Sequence, residues 1–175
     1  MTKALSGRYT IKLDPKGRVS LPSSLRDLID QNHSKAQPKA SHKSRSSSKS
    51  KKSFVFANGL YRGMKFIDIY LSSEWERLEQ KISQMPKLKS EVQAFQRFYL
   101  SSAVTVELDS HNRLLVPMEL RSFAALDEEA VIVGMGNKLE LWSKPVWDEV
   151  LSGLMSDFDN VVEKISEFDP EVEKK

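Results

Sequence analysis

The stretch "LDPKGRVSLPSSLR", residues 13–26, occurs a second time as "LDSHNRLLVPMELR", residues 108–121. The two copies share Leu, Asp, Arg, Pro, Leu and Arg at the same six of fourteen places, and two further places exchange one aliphatic residue for another. Further along, "IDIY" (67–70) matches "LELW" (139–142), and in each case a Trp follows five residues later. The chain therefore contains one module twice, which predicts two related units that share a core.

A basic segment separates the two matches in the first copy. The offset between copies falls from 95 residues at the first motif to 72 at the second, and the difference of 23 equals the length of the segment 31–53. That segment holds six Lys, one Arg, no acid and no aliphatic residue larger than Ala, so it cannot bury enough apolar surface to offset its ordering entropy. We interpret it as an insert that forms a mobile loop. It is either a solvated spacer or a basic arm that touches DNA phosphates.

Each copy has the pattern of strand, turn, strand, short helix, hairpin and longer helix. Pro22 and Pro117 suit the first turn of a helix. The capping-box patterns "SEWE" (73–76) and "SEVQ" (90–93) predict two helix starts. Apolar residues at helical spacing follow both patterns and also Trp147, and we expect their aromatic side chains to lie in the core or in an interface. The predicted organisation is a first module (1–100), a second module (101–156) and an acidic C-terminal tail (157–175).

Composition argues against several classes of protein. The 175 residues carry a net charge of +3 and contain no cysteine, which excludes disulfides and cysteine zinc sites. No apolar run approaches ~20 residues and the N-terminus lacks the apolar core of a signal peptide, so we expect a cytoplasmic protein without a membrane span. Asp109 and His111 stand two apart without a nucleophile motif, and "GMGNK" (134–138) reads as a hairpin turn. We therefore expect no enzyme, no metal, no cofactor and no small-molecule ligand.

The repeated motif forms a turn that can present basic side chains. Asp14 can accept hydrogen bonds from N–H groups in the turn, and Gly17 can adopt a positive φ. Lys16 and Arg18 would then project outward at fixed positions. In the second copy Asn112 replaces the Gly, and Asn tolerates the same backbone region. The alternative is a pair of turn-stabilising ion pairs with no further role, although exposed pairs contribute little stability.

The sequence resembles the MraZ family of bacterial transcriptional regulators. The resemblance rests on the paired "LDPKGR" and "LDSHNR" turns, on "RFYLSSAVTVELD" (97–109) and on "VIVGMGNKLELWSKPVWDE" (131–149), whereas the segment 31–53 and the C-terminal tail fall outside it. It implies an α+β fold of two tandem AbrB-like swapped-hairpin β modules that form a pseudo-twofold β-barrel core with peripheral helices. It also implies a ring-shaped homo-oligomer.

The same resemblance implies which residues contact DNA. The family's Asp-x-x-x-Arg motif maps onto Asp14 and Arg18 and onto Asp109 and Arg113. The family's N-terminal segment carries an Arg before the Gly that matches Gly7, where Ser6 stands here with Arg8 beyond it. A rigid Arg fork can pair bidentately with a guanine edge while lysines meet phosphate. The predicted DNA-binding residues are Arg8, Lys12, Asp14, Lys16, Arg18, Asp109 and Arg113.

The implied function is sequence-specific regulation of transcription. The partner would be double-stranded DNA, with direct repeats in the promoter of the division and cell-wall gene cluster, including the protein's own gene, and the protein would associate with the nucleoid. Two alternatives stand beside it: a structural ring or adaptor that binds other proteins, and an antitoxin-like regulator of the AbrB superfamily. The duplicated module disfavours the antitoxin, because antitoxins typically carry one copy and a long partner-binding tail.

Overall fold

The computed structural model of the protein describes residues 3–36 and 52–168. Strands and helices alternate over these ranges, and we number each kind in chain order. The strands are β1 (Arg8–Lys12), β2 (Arg18–Ser20), β3 (Ser53–Tyr61), β4 (Met64–Leu71), β5 (Val104–Glu107), β6 (Arg113–Leu115), β7 (Glu129–Gly134) and β8 (Lys138–Ser143). The helices are α1 (Ser23–Ala36), α2 (Ser72–Ser83), α3 (Ser90–Phe98), α4 (Met118–Phe123) and α5 (Lys144–Ser166).

Six strands form one antiparallel sheet in the order β1-β7-β8-β4-β3-β5, and β2 pairs with β6 as a separate two-stranded ribbon. The α+β class is therefore confirmed, but the expected closed barrel is wrong, because the sheet is open with β1 and β5 at its edges. The reason lies in the repeated turn. Directly after each edge strand the chain reverses into β2 or β6, and these two strands pair with each other instead of closing the sheet.

The two copies interlace about a pseudo-twofold axis. The first strand of each copy pairs with the hairpin of the other, β1 with β7 and β5 with β3. At two places a residue faces its own counterpart in the other copy: Val19 faces Leu114 in the ribbon, and Asp68 faces Glu140 in the sheet. Because each hairpin is extended by a strand of the other copy, neither copy completes its own sheet.

The register of the hairpins locates the extra residues of the first copy. The paired residues Phe54 and Leu71 are 17 positions apart, whereas their counterparts Ala130 and Ser143 are 13 apart. Four of the 23 extra residues therefore belong to the first hairpin, and the other 19 lie between the start of α1 and β3, partly in α1 itself, which has 14 residues against six in α4. The predicted segment 31–53 is not a loop throughout, since residues 31–36 continue α1 and Ser53 begins β3. Residues 37–51 are outside the described part of the chain.

The sheet has two covered faces. Along β4, Ile67, Ile69 and Leu71 enter the main core, which the ribbon, α1 and α4 cover; we call this side the inner face. The alternate residues of β4 lie on the outer face. There Tyr70 joins an aromatic cluster with Trp75 of α2, and Phe66 joins a second cluster with α5. The ribbon that carries both turns thus lies on the side of the sheet opposite α2 and α5.

Several helix boundaries differ from the sequence-based expectation. Strand β4 runs directly into α2 at Ser72, so Leu71 is the N-cap and Ser73 lies inside the helix. Lys89 likewise precedes α3, and neither helix has a side-chain cap. Pro22 and Pro117 stand just before their helices. The carbonyl group of each accepts the N–H group of the residue four positions later, Arg26 and Arg121 respectively.

The helices bury the repeated tryptophans, and the last helix continues into the predicted C-terminal tail. Trp75 and Trp147 are only 5% and 9% exposed, so both lie in the core of the chain. Helix α5 includes residues 157–166 of the predicted acidic tail, while 169–175 are outside the described residues. None of the helices described is both long enough and apolar enough to cross a membrane.

Candidate nucleic-acid interface

The first turn is built around the carboxylate of Asp14. Its Oδ1 accepts the N–H groups of Lys16 at 2.9 Å and of Arg18 at 3.0 Å, and its Oδ2 accepts Nε–H of Arg18 at 2.6 Å. The Gly17 N–H donates to the Asp14 carbonyl at 2.8 Å, with φ of 79° at Gly17. The backbone and the guanidinium are therefore fixed by one side chain.

The second turn repeats these contacts. Asp109 Oδ1 accepts the N–H groups of His111 at 2.8 Å and of Arg113 at 2.9 Å, and Oδ2 accepts Nε–H of Arg113 at 2.8 Å. Asn112 takes the place of the Gly with φ of 58° and donates its N–H to the Asp109 carbonyl at 3.0 Å. The prediction that Asn112 preserves the turn is confirmed.

Backbone hydrogen bonds join the two turns through the ribbon. The Gly17 carbonyl accepts the Val116 N–H at 3.0 Å, and the Asn112 carbonyl accepts the Leu21 N–H at 3.3 Å. Each turn thus receives a bond from the strand that follows the other turn. Displacing one turn would strain the other, so the pair behaves as one rigid unit.

The outward side of the ribbon carries both arginines. Val19 and Leu114 point into the core with no exposed surface, so alternation places Arg18 and Arg113 on the opposite side. Their side chains are 29% and 27% exposed. In the ribbon Arg18 pairs with Leu115, which is two positions from Arg113. The two arginines are therefore diagonal neighbours, about 7–8 Å apart.

Both turn carboxylates stay ionised. Backbone donation from Arg18, with its guanidinium, holds the pKa of Asp14 below its usual value. For Asp109 partial desolvation works in the opposite direction, but the N–H groups of Arg113 and His111 and the guanidinium still lower its pKa. The ion pairs therefore persist at neutral pH.

The two arginines are held differently. Asp14 Oδ2 bonds Nε of Arg18, whereas Asp109 Oδ2 lies 2.8 Å from both Nε and Nη2 of Arg113. Nη1 of Arg113 is also 3.9 Å from Asp14 Oδ2. Arg113 is thus the more fully committed to carboxylates, and its guanidinium has less bonding capacity for a further partner.

The remaining predicted residues divide by position. Lys16 is exposed at the tip of the first turn. Lys12 is exposed at the end of β1 and lines a surface cavity of about 390 Å³ with Asp14, next to the turn. Arg8 lies four residues back along β1, opposite Val133 of β7, whose side chain packs in the α5 cluster. Arg8 is therefore on the outer face, as Lys12 is by the same alternation, but four residues further from the turn.

A further arginine stands behind the first turn. The Arg121 guanidinium lies against Gly17, so closely that a Cβ at that position would overlap it. Its counterpart in the first copy, Arg26, has a buried Nε with no partner among the described residues. These are the last shared residues of the repeated fourteen, so the sequence contained the signal, but a match at the start of a helix predicts nothing about its contact with a turn.

The described ranges contain no group of three or more His, Asp or Glu residues placed to hold a metal ion. The hairpin predicted at "GMGNK" is confirmed as the β7–β8 connection, with φ of 83° at Gly136.

Comparison with known proteins identifies the family. A family model described as the MraZ protein and as antitoxin-like matches residues 99–168. The chain is 36% identical to the transcriptional regulator MraZ of Natranaerobius thermophilus over 163 residues, 93% of this chain and 97% of the relative. It is 34% identical to the proteins of the same name from Heliobacterium modesticaldum and Pediococcus pentosaceus, again over 93% of this chain and over 97% and 96% of the relatives. The chain belongs to the MraZ family.

Membership in the MraZ family corrects one boundary and supports one expectation. The family model reaches residue 168, so the match does not stop before the predicted C-terminal tail. The MraZ relatives are named as transcriptional regulators, in agreement with the expectation of a regulator of transcription rather than an enzyme.

Proposed function

We propose that the protein is a sequence-specific DNA-binding regulator of transcription that acts in the cytoplasm on the nucleoid. Its targets are direct repeats in the promoter of the division and cell-wall gene cluster, including its own gene. The relatives named transcriptional regulator MraZ support the regulatory role. The exchange of strands between the two copies supports an AbrB-like swapped-hairpin arrangement of two modules.

One observation carries the proposal: two matching turns hold two arginines on the outward side of one ribbon. A two-stranded ribbon fits the major groove of B-DNA, where a guanidinium can donate to both O6 and N7 of guanine. Fixing the guanidinium in advance reduces the entropy lost on binding. Stability is a weaker explanation, because partly exposed ion pairs contribute little.

The surrounding cations suit the DNA backbone. Lys16 and Lys12 flank the first turn and are exposed, so they can meet phosphates while Arg18 reaches a base edge. The second turn has Ser110 and His111 in the corresponding places, and its Arg113 is more fully paired. We therefore assign the larger share of base recognition to the first turn.

Assembly supplies the affinity that one ribbon lacks. A single ribbon covers only a few base pairs, so a lone chain binds weakly. A homo-oligomeric ring places the same ribbon on successive subunits, which can engage repeats spaced by about one helical turn, ~10 base pairs. Linked contacts then bind with avidity.

The test is a titration of the protein against fragments from upstream of its own gene that carry one, two or three repeats, at fixed salt. We expect affinity to rise steeply with repeat number and to fall when half a helical turn is inserted between repeats. Equal affinity for promoter and scrambled fragments would contradict sequence-specific binding and would favour the protein-binding adaptor.

A further inference from the structure

The second half of α5 carries an apolar ridge that the chain leaves uncovered. Met155, Phe158, Val162 and Ile165 are 73%, 59%, 49% and 60% exposed. At 100° per residue they continue the line of Trp147, which the core buries at the beginning of the same helix. One half of this helix face is buried in the core and the other half exposes large apolar side chains. Such an exposed apolar patch indicates a site where a partner binds.

In the first copy the matching helix is more fully buried and is followed by a second helix. Helix α2 is the counterpart of α5, and Ile82 of α2 is 1% exposed, whereas the matching Leu154 of α5 is only half-buried. After α2 the chain turns and returns as α3. Tyr99 then stacks on Trp75 and donates to Asp68 at 2.5 Å. After the corresponding point of α5 the helix continues outward instead.

Helix α3 has an unused face of its own. It buries none of its side chains, Phe95 is 41% exposed, and Leu88 just before the helix is 94% exposed, whereas Phe98 packs edge-on against Phe123 of α4. Its surroundings are basic, since residues 84–98 contain Lys87, Lys89 and Arg97 against one Glu. Residues 153–166 of α5 contain three acids against one Lys. The two surfaces are apolar in their centres and opposite in charge.

We propose that the outer half of α5 in one subunit docks against the α3 surface of a second copy, which covers the α5 ridge in trans. The contact is head-to-tail, so each bound subunit still offers a free surface for the next and the chain of contacts can close into a ring. Helix α5 lies on the outer face of the sheet, and Phe95 of α3 stacks on Tyr99 of the outer aromatic cluster, so the Arg18–Arg113 ribbon on the inner face stays accessible to DNA. The inference rests on the proposed function only in taking the protein to be a homo-oligomer.

The test uses two full-length variants that each remove one surface. F158S/I165S removes the α5 ridge, and L88S/F95S removes the α3 surface. The control is M118S, an equally exposed methionine (70%) on α4. Light scattering should give a particle of several times 20.0 kDa for wild type and M118S, and 20.0 kDa for each double variant. Circular dichroism and thermal melting establish that each variant is folded. Because Phe95 stacks on Tyr99, L88E alone serves as a second α3 variant without an intrachain aromatic contact.

Mixing the two double variants is the deciding step. Each retains the surface that the other lacks, so an equimolar mixture should form a dimer of twice the chain mass and stop there. A mixture that stays monomeric would overturn the proposal. So would an L88S/F95S or L88E variant that assembles like wild type, because α5 would then pair with itself. Binding of a single-repeat fragment, measured on the same monomeric variants, tests DNA recognition separately from assembly.

Discussion

The two turns of the ribbon have the same hydrogen bonds on different sequences. Asp14 and Asp109 each accept two backbone N–H groups and an arginine Nε–H, with matching distances to within a few tenths of an ångström. Between each Asp and its Arg the residues are Pro-Lys-Gly in one turn and Ser-His-Asn in the other. The scaffold therefore depends on the Asp and on one residue that tolerates positive φ, and the other positions are free to change.

The turns differ in how many N–H groups of each guanidinium remain available to bind DNA. Arg18 is bonded through Nε, whereas Arg113 gives Nε and Nη2 to Asp109 and places Nη1 3.9 Å from Asp14. One duplicated module has thus produced a more basic turn with a more available guanidinium and a second turn that supports it. The pseudo-twofold symmetry holds for the backbone more closely than for the electrostatics.

The largest effect should come from truncating a core residue of the ribbon that joins the two turns. Leu114 faces Val19 on the pseudo-twofold axis and is fully buried, so Leu114→Ala should destabilise the fold by about 2–5 kcal/mol. Leu115→Ala is the matched control, since Leu115 is 53% exposed and adjacent. Chemical denaturation checks both. Equal stability of the two variants would show that the ribbon does not hold the turns through this contact.

Next in size is the loss of the first arginine. Arg18→Ala should weaken binding to the promoter fragment by about 1–3 kcal/mol, roughly 5- to 150-fold, without unfolding the protein. Arg113→Ala should cost less, because that guanidinium is more fully paired within the chain. Anisotropy titration at fixed salt measures both. A larger loss for Arg113→Ala would reverse the assigned roles of the two turns.

Substitutions of Gly17 in the first turn should have a smaller effect on stability, and two of them can be compared directly. Gly17→Ala should destabilise the protein by about 1–2 kcal/mol, since φ is 79° and the new Cβ meets the Arg121 guanidinium. Gly17→Asn imitates the second turn and should suffer less backbone strain, because Asn tolerates this region better than Ala. Thermal melting distinguishes them. Asn costing more than Ala would mean that contact with Arg121, rather than φ, decides the residue.

Acid should weaken both turns together. The folded protein lowers the pKa of Asp14 and Asp109 below the ordinary value of 3.8, so their contribution to stability is present above that value and is lost as pH falls through the lowered folded pKa. In D14N/D109N this dependence should disappear. The difference in Tm between wild type and this variant should therefore narrow between about pH 5 and pH 3. A constant difference across that range would contradict the assignment.

The smallest effect concerns the basic segment between α1 and β3. Residues 37–51 contain five cations and no acid. If this segment is an arm that contacts phosphates, replacing its cations by Ser should flatten the dependence of DNA affinity on salt and lower affinity for all sequences alike. An unchanged salt slope would favour the spacer. The replacement leaves chain length unaltered, so Tm serves as the control for folding.

The repeat made much of this architecture predictable. Two copies of the Asp-to-Arg motif with flanking alternation predicted the turns, the strands and the tolerance of Asn112, because a turn depends on residues close in sequence. The open sheet was not predictable in this way, since the pairing of β1 with β7 joins residues more than a hundred positions apart. The insert was misjudged because offsets reveal only total length, and four residues of the difference lie in a hairpin. Arg121 behind Gly17 was missed because this contact, like the pairing of β1 with β7, joins residues more than a hundred positions apart.

Base recognition by the two turns is tested most directly by comparing promoter and scrambled fragments with the R18A/R113A variant at one salt concentration. The variant loses the two guanidinium groups but keeps Lys12 and Lys16, so phosphate contacts remain. We predict that affinity for the promoter falls toward that for scrambled DNA, while affinity for scrambled DNA changes little. A variant that still prefers the promoter by the wild-type factor would contradict the account, because the sequence would then be read elsewhere on the protein.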